Sequence, residues 1–344
     1  AHFGSNNIFN RAGWEYILRE HGGRLPVIIK AVPEGLDVPT GNVLMTVENT
    51  DPDCWWLTNY LESLLVEVWY PTTVATLSNN VRKVILGFLE STGTPELIDF
   101  KFHDFGFRGV SSPESAGIGA AAHLINFKGT DTIAGLMLLK DYYLCSEMPG
   151  YSIPASEHST ITSWGKEHEV DAFRNMLHRY PTGLVACVSD SYDIYNACSE
   201  LWGKQLKQQV LERDGTLVVR PDSGDPIIVL PEILERLGIA FGVTTNQKGY
   251  KVLDSHVGLI YGDSITLDRA NEILAKLKDK GFASSNVVFG VGSFTYQMVT
   301  RDTFGFAMKA TYIEVDGIDG GIELYKDPKT GDGGKKSAKG LLQV

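Results

Sequence analysis

Polar and apolar positions along the chain change rhythm near residue 97. Before it the pattern is mixed α+β. Asn10 to Glu20 reads as a helix with Asn10 at its cap, and Leu25–Val32 and Val43–Val47 read as strands punctuated by Pro33, Gly35, Pro39 and Gly41. Asp51 to Leu89 is mostly helical by pattern, with Trp56, Tyr60, Leu64 and Val68 near the helical period until Pro71 interrupts. From Leu97 short apolar runs alternate with amphipathic helices. The runs are Leu97–His103, Leu124–Phe127, a weaker one before His158, Leu184–Val188, Leu217–Val219, Val257–Ile260 and Val287–Phe289. The helices between them carry apolar faces: Ile133, Leu136 and Leu139; then Val170, Phe173, Leu177 and Tyr180; then Ile194, Ala197, Leu201 and Trp202; then Leu267, Ala270, Leu274 and Leu277, stopped by Gly281. Repeated strand–helix units imply a parallel sheet. Six or seven of them favour a closed or nearly closed α/β barrel over a doubly wound sheet, which gives the same rhythm. Beyond Arg301 the units stop, and Ala310–Val315 and Gly321–Tyr325 read as strands that rejoin the first layer, followed by a Gly- and Lys-rich, mobile tail from Lys326 to Lys339. The expected division is therefore residues 1–95 with 300–344 as a sheet-containing α+β domain, and 96–299 as the barrel.

Composition narrows the function classes. A chain of 344 residues is long enough for about two domains. No apolar stretch reaches membrane-spanning length. Lys+Arg 31 against Asp+Glu 42 gives a net charge of −11, which disfavours nucleic acid or an anionic membrane as a general partner. Any phosphorylated substrate must then meet local positive charge. The four cysteines, Cys54, Cys145, Cys187 and Cys198, form no C-x-x-C pair, so a reduced, cytoplasmic protein is expected. The chain begins at Ala1 without Met, so its first residues say nothing about targeting.

The candidate chemistry lies at the ends of the predicted strands, where an α/β barrel carries its active site. Those ends read His103-Asp104-Phe105-Gly106-Phe107-Arg108, Lys128-Gly129-Thr130-Asp131, Ser156-Glu157-His158-Ser159-Thr160, Ser189-Asp190-Ser191-Tyr192-Asp193, Arg220-Pro221-Asp222-Ser223-Gly224-Asp225, Gly262-Asp263-Ser264 and Gly290-Val291-Gly292-Ser293. One such end is an ordinary turn; seven in succession point to a site. Gly290 to Ser293 suits a phosphate through backbone N–H groups, or is a tight turn. Arg220 can grip phosphate while Asp222 holds sugar hydroxyls or a metal, or the two form a capping salt bridge. His158 beside Glu157 is a nucleophile, a general base or a structural histidine. Asp193 opens a helix and suits a cap. Phe105 and Arg108 offer a ring and a cation, or core packing. Carboxylates beside a phosphate site imply Mg²⁺.

Three motifs mislead. Gly117-Ile118-Gly119-Ala120-Ala121-Ala122 fits G-x-G-x-x-A but follows a turn, so a dinucleotide-binding oxidoreductase lacks the strand it needs. Gly331 to Ser337 lacks Walker A spacing. Glu167-His168-Glu169 has no second histidine four residues on, so no zincin motif exists.

The same segments resemble the nicotinamide phosphoribosyltransferase family from Phe9 to about Gly340, through His103–Ser112, Asn126–Thr132, Glu157–Thr162, Ser189–Cys198, Arg220–Gly224 and Asn42–Thr50. The resemblance implies a type II phosphoribosyltransferase: an incomplete α/β barrel packed on a mixed β-sheet domain, active as a head-to-tail homodimer with shared sites. It implies transfer from phosphoribosyl pyrophosphate to nicotinamide with Mg²⁺, and ATP as co-substrate. Phe105 would stack on the pyridine ring, with Arg108 beside ring and phosphate. Asp131 would accept from the carboxamide, and Ser152 would join the substrate-binding set. Arg220 and Asp222 would hold the ribosyl group, and Gly262, Asp263, Gly292 and Ser293 its phosphate. His158 would be phosphorylated by ATP, supported by Glu157 and Asp193. Arg301 and Lys309 of a partner subunit would bind pyrophosphate or ATP phosphates. Asp131 would repel the carboxylate of nicotinic acid, which favours nicotinamide over the nicotinate-using relatives. The chain departs from the family at Val291, Ser293 and Phe294, where glycine is commoner, and at Ala307, where serine is. The family also has a segment before Ala1, which carries an aromatic that covers the ring across the dimer, and continues past Val344. A non-catalytic fragment is thus the remaining alternative; the set Asp131, His158, Arg220 and Asp222 argues against it.

Overall fold

A computed structural model of the chain describes residue 4, residues 8–330 and residues 336–344. Two compact units result, Ala1–Trp69 with Arg301–Val344, and Tyr70–Thr300. Part of the Gly- and Lys-rich tail, residues 331–335, lies outside the described residues.

The larger unit is built on five parallel strands: β1 (Phe102–Asp104), β2 (Val185–Val188), β3 (Leu217–Arg220), β4 (Val257–Tyr261) and β5 (Val287–Val291). Their order is β1-β5-β4-β3-β2. Two further segments fill the gap between the outer strands. Thr130 bridges Asp104, Gly129 bridges Tyr151, and Ala155 bridges Ala186, all parallel. The backbone bonds Asp104 N to Gly129 O (3.0 Å), Thr130 N to Tyr151 O (2.9 Å) and Ala186 N to Pro154 O (2.9 Å) carry the pairing from β1 round to β2. The ring therefore has seven members; the one beside β1 is the polar segment 128–130, while the predicted run Leu124–Phe127 is the turn that leads into it.

Buried on both faces, β2 to β5 are mostly apolar, as parallel strands are; all four residues of β2 and of β3 are buried, Arg220 at the end of β3 among them, and β1 carries His103 and Asp104. Side chains alternate between faces. Ala186, Val218 and Ile260 pack inside the ring with Phe105, Ile153 and Val288. Cys187, Val219, Leu259 and Phe289 point outward into the main core. Helices α1 (Trp69–Thr92), α2 (Pro113–His123), α3 (Ile133–Tyr142), α4 (Glu169–Arg179), α5 (Pro226–Phe241) and α6 (Leu267–Asp279) accompany the ring. Asp225 caps α5, with Pro226 at its first position, and Thr266 caps α6. Phe173 of α4 stacks on Trp202 at 4.4 Å between ring centroids. Trp202 Nε1 donates to Ser189 Oγ (3.1 Å), which ties this packing to the loop after β2.

Several expectations are corrected. The barrel unit begins at Tyr70 rather than at residue 96, because Val81, Ile85 and Leu89 of α1 belong to the barrel core. Pro71 does not interrupt the helix. It sits in the first turn of α1, where an N–H has no intrahelical partner to lose. Ile133 is exposed, because α3 meets α2 through Gly135 instead. An antiparallel hairpin, Val243–Thr245 with Lys251–Leu253, follows α5 and has no counterpart in the predicted rhythm.

In the smaller unit Asn10 caps the helix Arg11–Glu20, and Val27–Ala31 pairs antiparallel with Met45–Asn49. The helix Leu57–Leu65 buries Leu57 and Leu61 against Ile17 and Cys54. Tyr60, Leu64 and Val68 of the expected apolar stripe are exposed. The segment is apolar on two faces, and the structure buries the other one. Tyr312–Ile313 and Ile322–Glu323 form a second two-stranded ladder. Among the described residues no helix is long and apolar enough to cross a membrane, and all four cysteines are free.

Phe173 is fully buried on Trp202. Phe173→Ala is expected to cost about 3–5 kcal/mol. Urea unfolding followed by far-UV circular dichroism should show the midpoint fall with an unchanged slope.

Candidate active site

Parallel strands deliver their carboxyl ends to one rim of the ring. Phe105 follows β1, and its N–H donates to Val291 O at 2.7 Å. Its ring lies directly on the backbone of the neighbouring strand ends. A Cβ at Gly290 would sit 2.1 Å from the ring, and one at Gly262 2.8 Å, so only glycine leaves this space. The Arg220 guanidinium stands 5.2 Å from the ring centroid, in cation–π range. Arg220 is buried; it donates from Nη2 to Asp222 Oδ2 (3.3 Å), and its Nε has no partner among the described residues.

Asp222 Oδ2 also lies 3.5 Å from His158 Nε2, and His158 is half-exposed. Asp190 holds this loop: its Oδ2 accepts from Asp222 N (2.8 Å) and Ser223 Oγ (2.6 Å), while its Oδ1 is buried without a partner. Across the ring His103 Nε2 is 2.6 Å from Asp131 Oδ1, and Ser152 Oγ donates to the same oxygen at 2.5 Å. Burial pushes the Asp131 carboxyl up, but the bond and charge of His103, with Ser152 and Arg220, outweigh it and hold it below its ordinary value. Asp131 is therefore an acceptor-only carboxylate at neutral pH.

The glycine-rich ends complete the rim. Ser293 opens a short helix and donates from Oγ to Gly109 O (3.0 Å), fastening the turn that carries exposed Arg108. Asp263, exposed, accepts from Ser264 Oγ at 3.0 Å. Asp193 acts as a cap: Oδ1 accepts from the N–H groups of Tyr195 and Asn196, both at 3.0 Å. Glu157 N donates to Thr160 Oγ1 (3.0 Å) at the start of the short helix that bears His158. Gly117 and Gly119 lie inside α2 as packing residues.

Both the sequence and the fold have matches among known proteins. The model of the nicotinate phosphoribosyltransferase family matches residues 100–343. A nicotinamide phosphoribosyltransferase of Xanthomonas campestris is 52% identical over 98% of this chain and 72% of its own. One from Acinetobacter baylyi is 43% identical over 94% of this chain and 68% of its own. The chain belongs to the nicotinate phosphoribosyltransferase family. It is thus a pentosyltransferase. In fold it is similar to a nicotinate-nucleotide pyrophosphorylase from Pyrococcus furiosus, with a TM-score of 0.52 at 16% identity over 79% of this chain and 58% of that one.

For a member of this phosphoribosyltransferase family, the barrel rim brings together Phe105, Asp131, Ser152, His158, Arg220 and Asp222, with Gly262 and Gly290 beneath the ring. Arg301 and Lys309 belong to the smaller unit, where Arg301 pairs with Asp302 (3.4 Å) and Lys309 with Glu62 (2.8 Å). Sequence reasoning passed over three residues. His103 is the middle residue of β1 and Phe105 follows the strand two positions on, so the alternation of faces places both inside the ring. Asp190 sits within a quoted strand end. Glu169 was set aside with a failed motif, yet it is buried at the start of α4 with Oε1 unpartnered. In the smaller unit His21, Asp51 and Cys54 offer ligand atoms within 4.8 Å. Asp51 already accepts from Tyr16 (3.0 Å) and Asp53 N (2.9 Å) and lies 2.7 Å from His21, so Asp51 is satisfied by hydrogen bonds, and Cys54 packs in the apolar cluster with Ile17, Leu57 and Leu61.

Burial first, and then the charges of Asp193 and Asp190, push the Glu169 carboxyl up to about 7. Between its ordinary value of 4.5 and about 7 the folded protein keeps a proton that the unfolded chain releases. Stability therefore falls as pH rises through that window. Glu169→Gln cannot ionise. Calorimetry is expected to show little change at pH 4.5 and a Tm about 2–4 °C above the parent at pH 8.

Proposed function

We propose that this chain transfers the phosphoribosyl group of phosphoribosyl pyrophosphate to nicotinamide, giving nicotinamide mononucleotide and pyrophosphate in NAD salvage. The observation that carries the reading is the acceptor-only carboxylate of Asp131, joined through His103 to the Phe105 ring (His103 to Phe105, 5.2 Å between centroids). A pyridine stacked on Phe105 presents a carboxamide N–H to Asp131, whereas the carboxylate of nicotinic acid would meet like charge.

The ring nitrogen attacks the anomeric carbon as its bond to pyrophosphate oxygen breaks. Positive charge grows at that carbon, and the Asp222 carboxylate stabilises it. Arg220 takes the ribosyl group, its unpartnered Nε supplying a buried donor that needs an acceptor. Backbone N–H groups at Gly262, Asp263, Gly292 and Ser293 surround the 5′-phosphate, and Arg108 neutralises charge beside it. Among the described residues no three carboxylate, imidazole or thiol ligand atoms converge at the rim. Separate carboxylates suit Mg²⁺, which keeps waters and takes substrate phosphates; Asp222 and Asp263 would hold it, and its charge would offset the departing pyrophosphate. His158 accepts the γ-phosphoryl of ATP, releasing ADP, and the phosphohistidine is later hydrolysed; Glu157 and Asp193 support the loop that bears it. The enzyme works in the cytoplasm as a homodimer, with Arg301 and Lys309 reaching the pyrophosphate or ATP phosphates of the partner's site.

Pyrophosphate release, measured with nicotinamide and nicotinic acid separately and with or without ATP, tests this. Release with nicotinamide, raised by ATP, is expected. Release with nicotinic acid alone would overturn the substrate. Asp131→Asn should narrow the preference for nicotinamide by about tenfold or more, roughly 1.4 kcal/mol. An unchanged preference would remove Asp131 from that role. His158→Ala should abolish ATP stimulation and retain part of the basal transfer; full stimulation would exclude phosphorylation of His158.

A further inference from the structure

Asp131 has two carboxylate oxygens in unlike surroundings. Oδ1 takes both the His103 and the Ser152 contacts, at 2.6 and 2.5 Å. Among the described residues Oδ2 accepts no hydrogen bond, and the side chain is partly exposed. The division matters because a free carboxylate spins about its terminal torsion in a broad, twofold well. Anchoring one oxygen leaves the other in a single place.

His103 is built to be that anchor. Its side chain is only 12% exposed. A Cβ at Gly129 would fall 2.6 Å from His103 Nδ1, so the imidazole lies against bare backbone on one side. The Phe105 ring approaches it on another, at 5.2 Å between centroids. The ring cannot swing away without displacing one of them. Its partner is a carboxylate and accepts only, so Nε2 carries the hydrogen. Ser152 Oγ is half of the same clamp, but a serine hydroxyl rotates freely, whereas the wedged imidazole fixes direction as well as distance.

We propose that His103 is a positioning and specificity-determining residue: by donating from Nε2 to Asp131 Oδ1 it orients the Asp131 carboxylate so that Oδ2 meets the carboxamide of the base. It acts through Asp131, so base recognition suffers from its loss and the bond-breaking step does not. This rests on the nicotinamide reading above.

The test uses the full chain, with kcat and KM measured for nicotinamide and for nicotinic acid at saturating phosphoribosyl pyrophosphate. His103→Ala is expected to raise KM for nicotinamide about tenfold, keep kcat within about threefold, and lower the nicotinamide-to-nicotinate ratio of kcat/KM about tenfold. His103→Gln, whose amide Nε2 can donate to the same oxygen, should restore KM and ratio to within about threefold of the parent. An unchanged KM and ratio in His103→Ala overturns the proposal. So does a fall in kcat alone, shared by both variants, which is the mark of a merely structural residue. Should His103→Ala lose its thermal transition, the folded His103→Gln decides: a parental ratio supports the bond, a collapsed ratio refutes it. A parent chain that uses nicotinic acid alone overturns the substrate reading first. A parent that prefers nicotinamide with an indifferent His103→Ala overturns only the positioning.

Discussion

Backbone pairing through two short, barely extended segments, 128–130 and 151–156, turns five parallel strands into a ring. Without those bridges β1 and β2 would be the open edges of a sheet, with unpaired N–H and C=O groups. Asp131 and Ser152 lie on or next to the bridging segments, and His158 follows them directly. The bonds that close the fold are thus the bonds that carry Asp131 and Ser152 onto the same rim as Arg220 and Asp222.

The ring also explains how an acidic chain can hold an anionic substrate. The net charge is −11. At the rim, however, carboxylates have partners: Asp222 has Arg220, and Asp131 has the His103 imidazole. Carboxylates crowd at the start of α4, where Glu169 faces Asp193 and Asp190, and there burial and repulsion raise the Glu169 carboxyl rather than leaving three charges together. The field presented to a ligand is set locally, by which carboxylates have a cation or a hydrogen-bond donor beside them.

Much of this was legible in the amino-acid order. The four strands β2 to β5 were legible as apolar runs, because parallel strands buried on both faces are rich in Val, Leu and Ile, whereas the ring members at 128–130 and 151–156 are short and carry no such run. The strand ends were legible because residues such as Arg220, Asp222 and Asp131 are too costly to place there without partners. What the order hid depends on tertiary choice. Leu57–Leu65 is apolar on two faces, and only packing selects Leu57 and Leu61. Pro71 reads as a break, yet in a first turn it costs nothing. Glu169 looks like a surface residue in a polar stretch, and only the packing of α4 on β2 makes it a buried acid. His103 was in plain view, but its worth lies in one carboxylate oxygen 28 positions away.

The glycine floor under Phe105 has a consequence for affinity. An aromatic on a flexible loop must freeze its torsions when a ligand arrives, and that lost freedom is subtracted from binding. Here the ring rests on Gly262 and Gly290, and its backbone is bonded to Val291. Its freedom is surrendered once, when the chain folds, and charged against the stability of the barrel. Any flat group that settled on it would meet a surface already still.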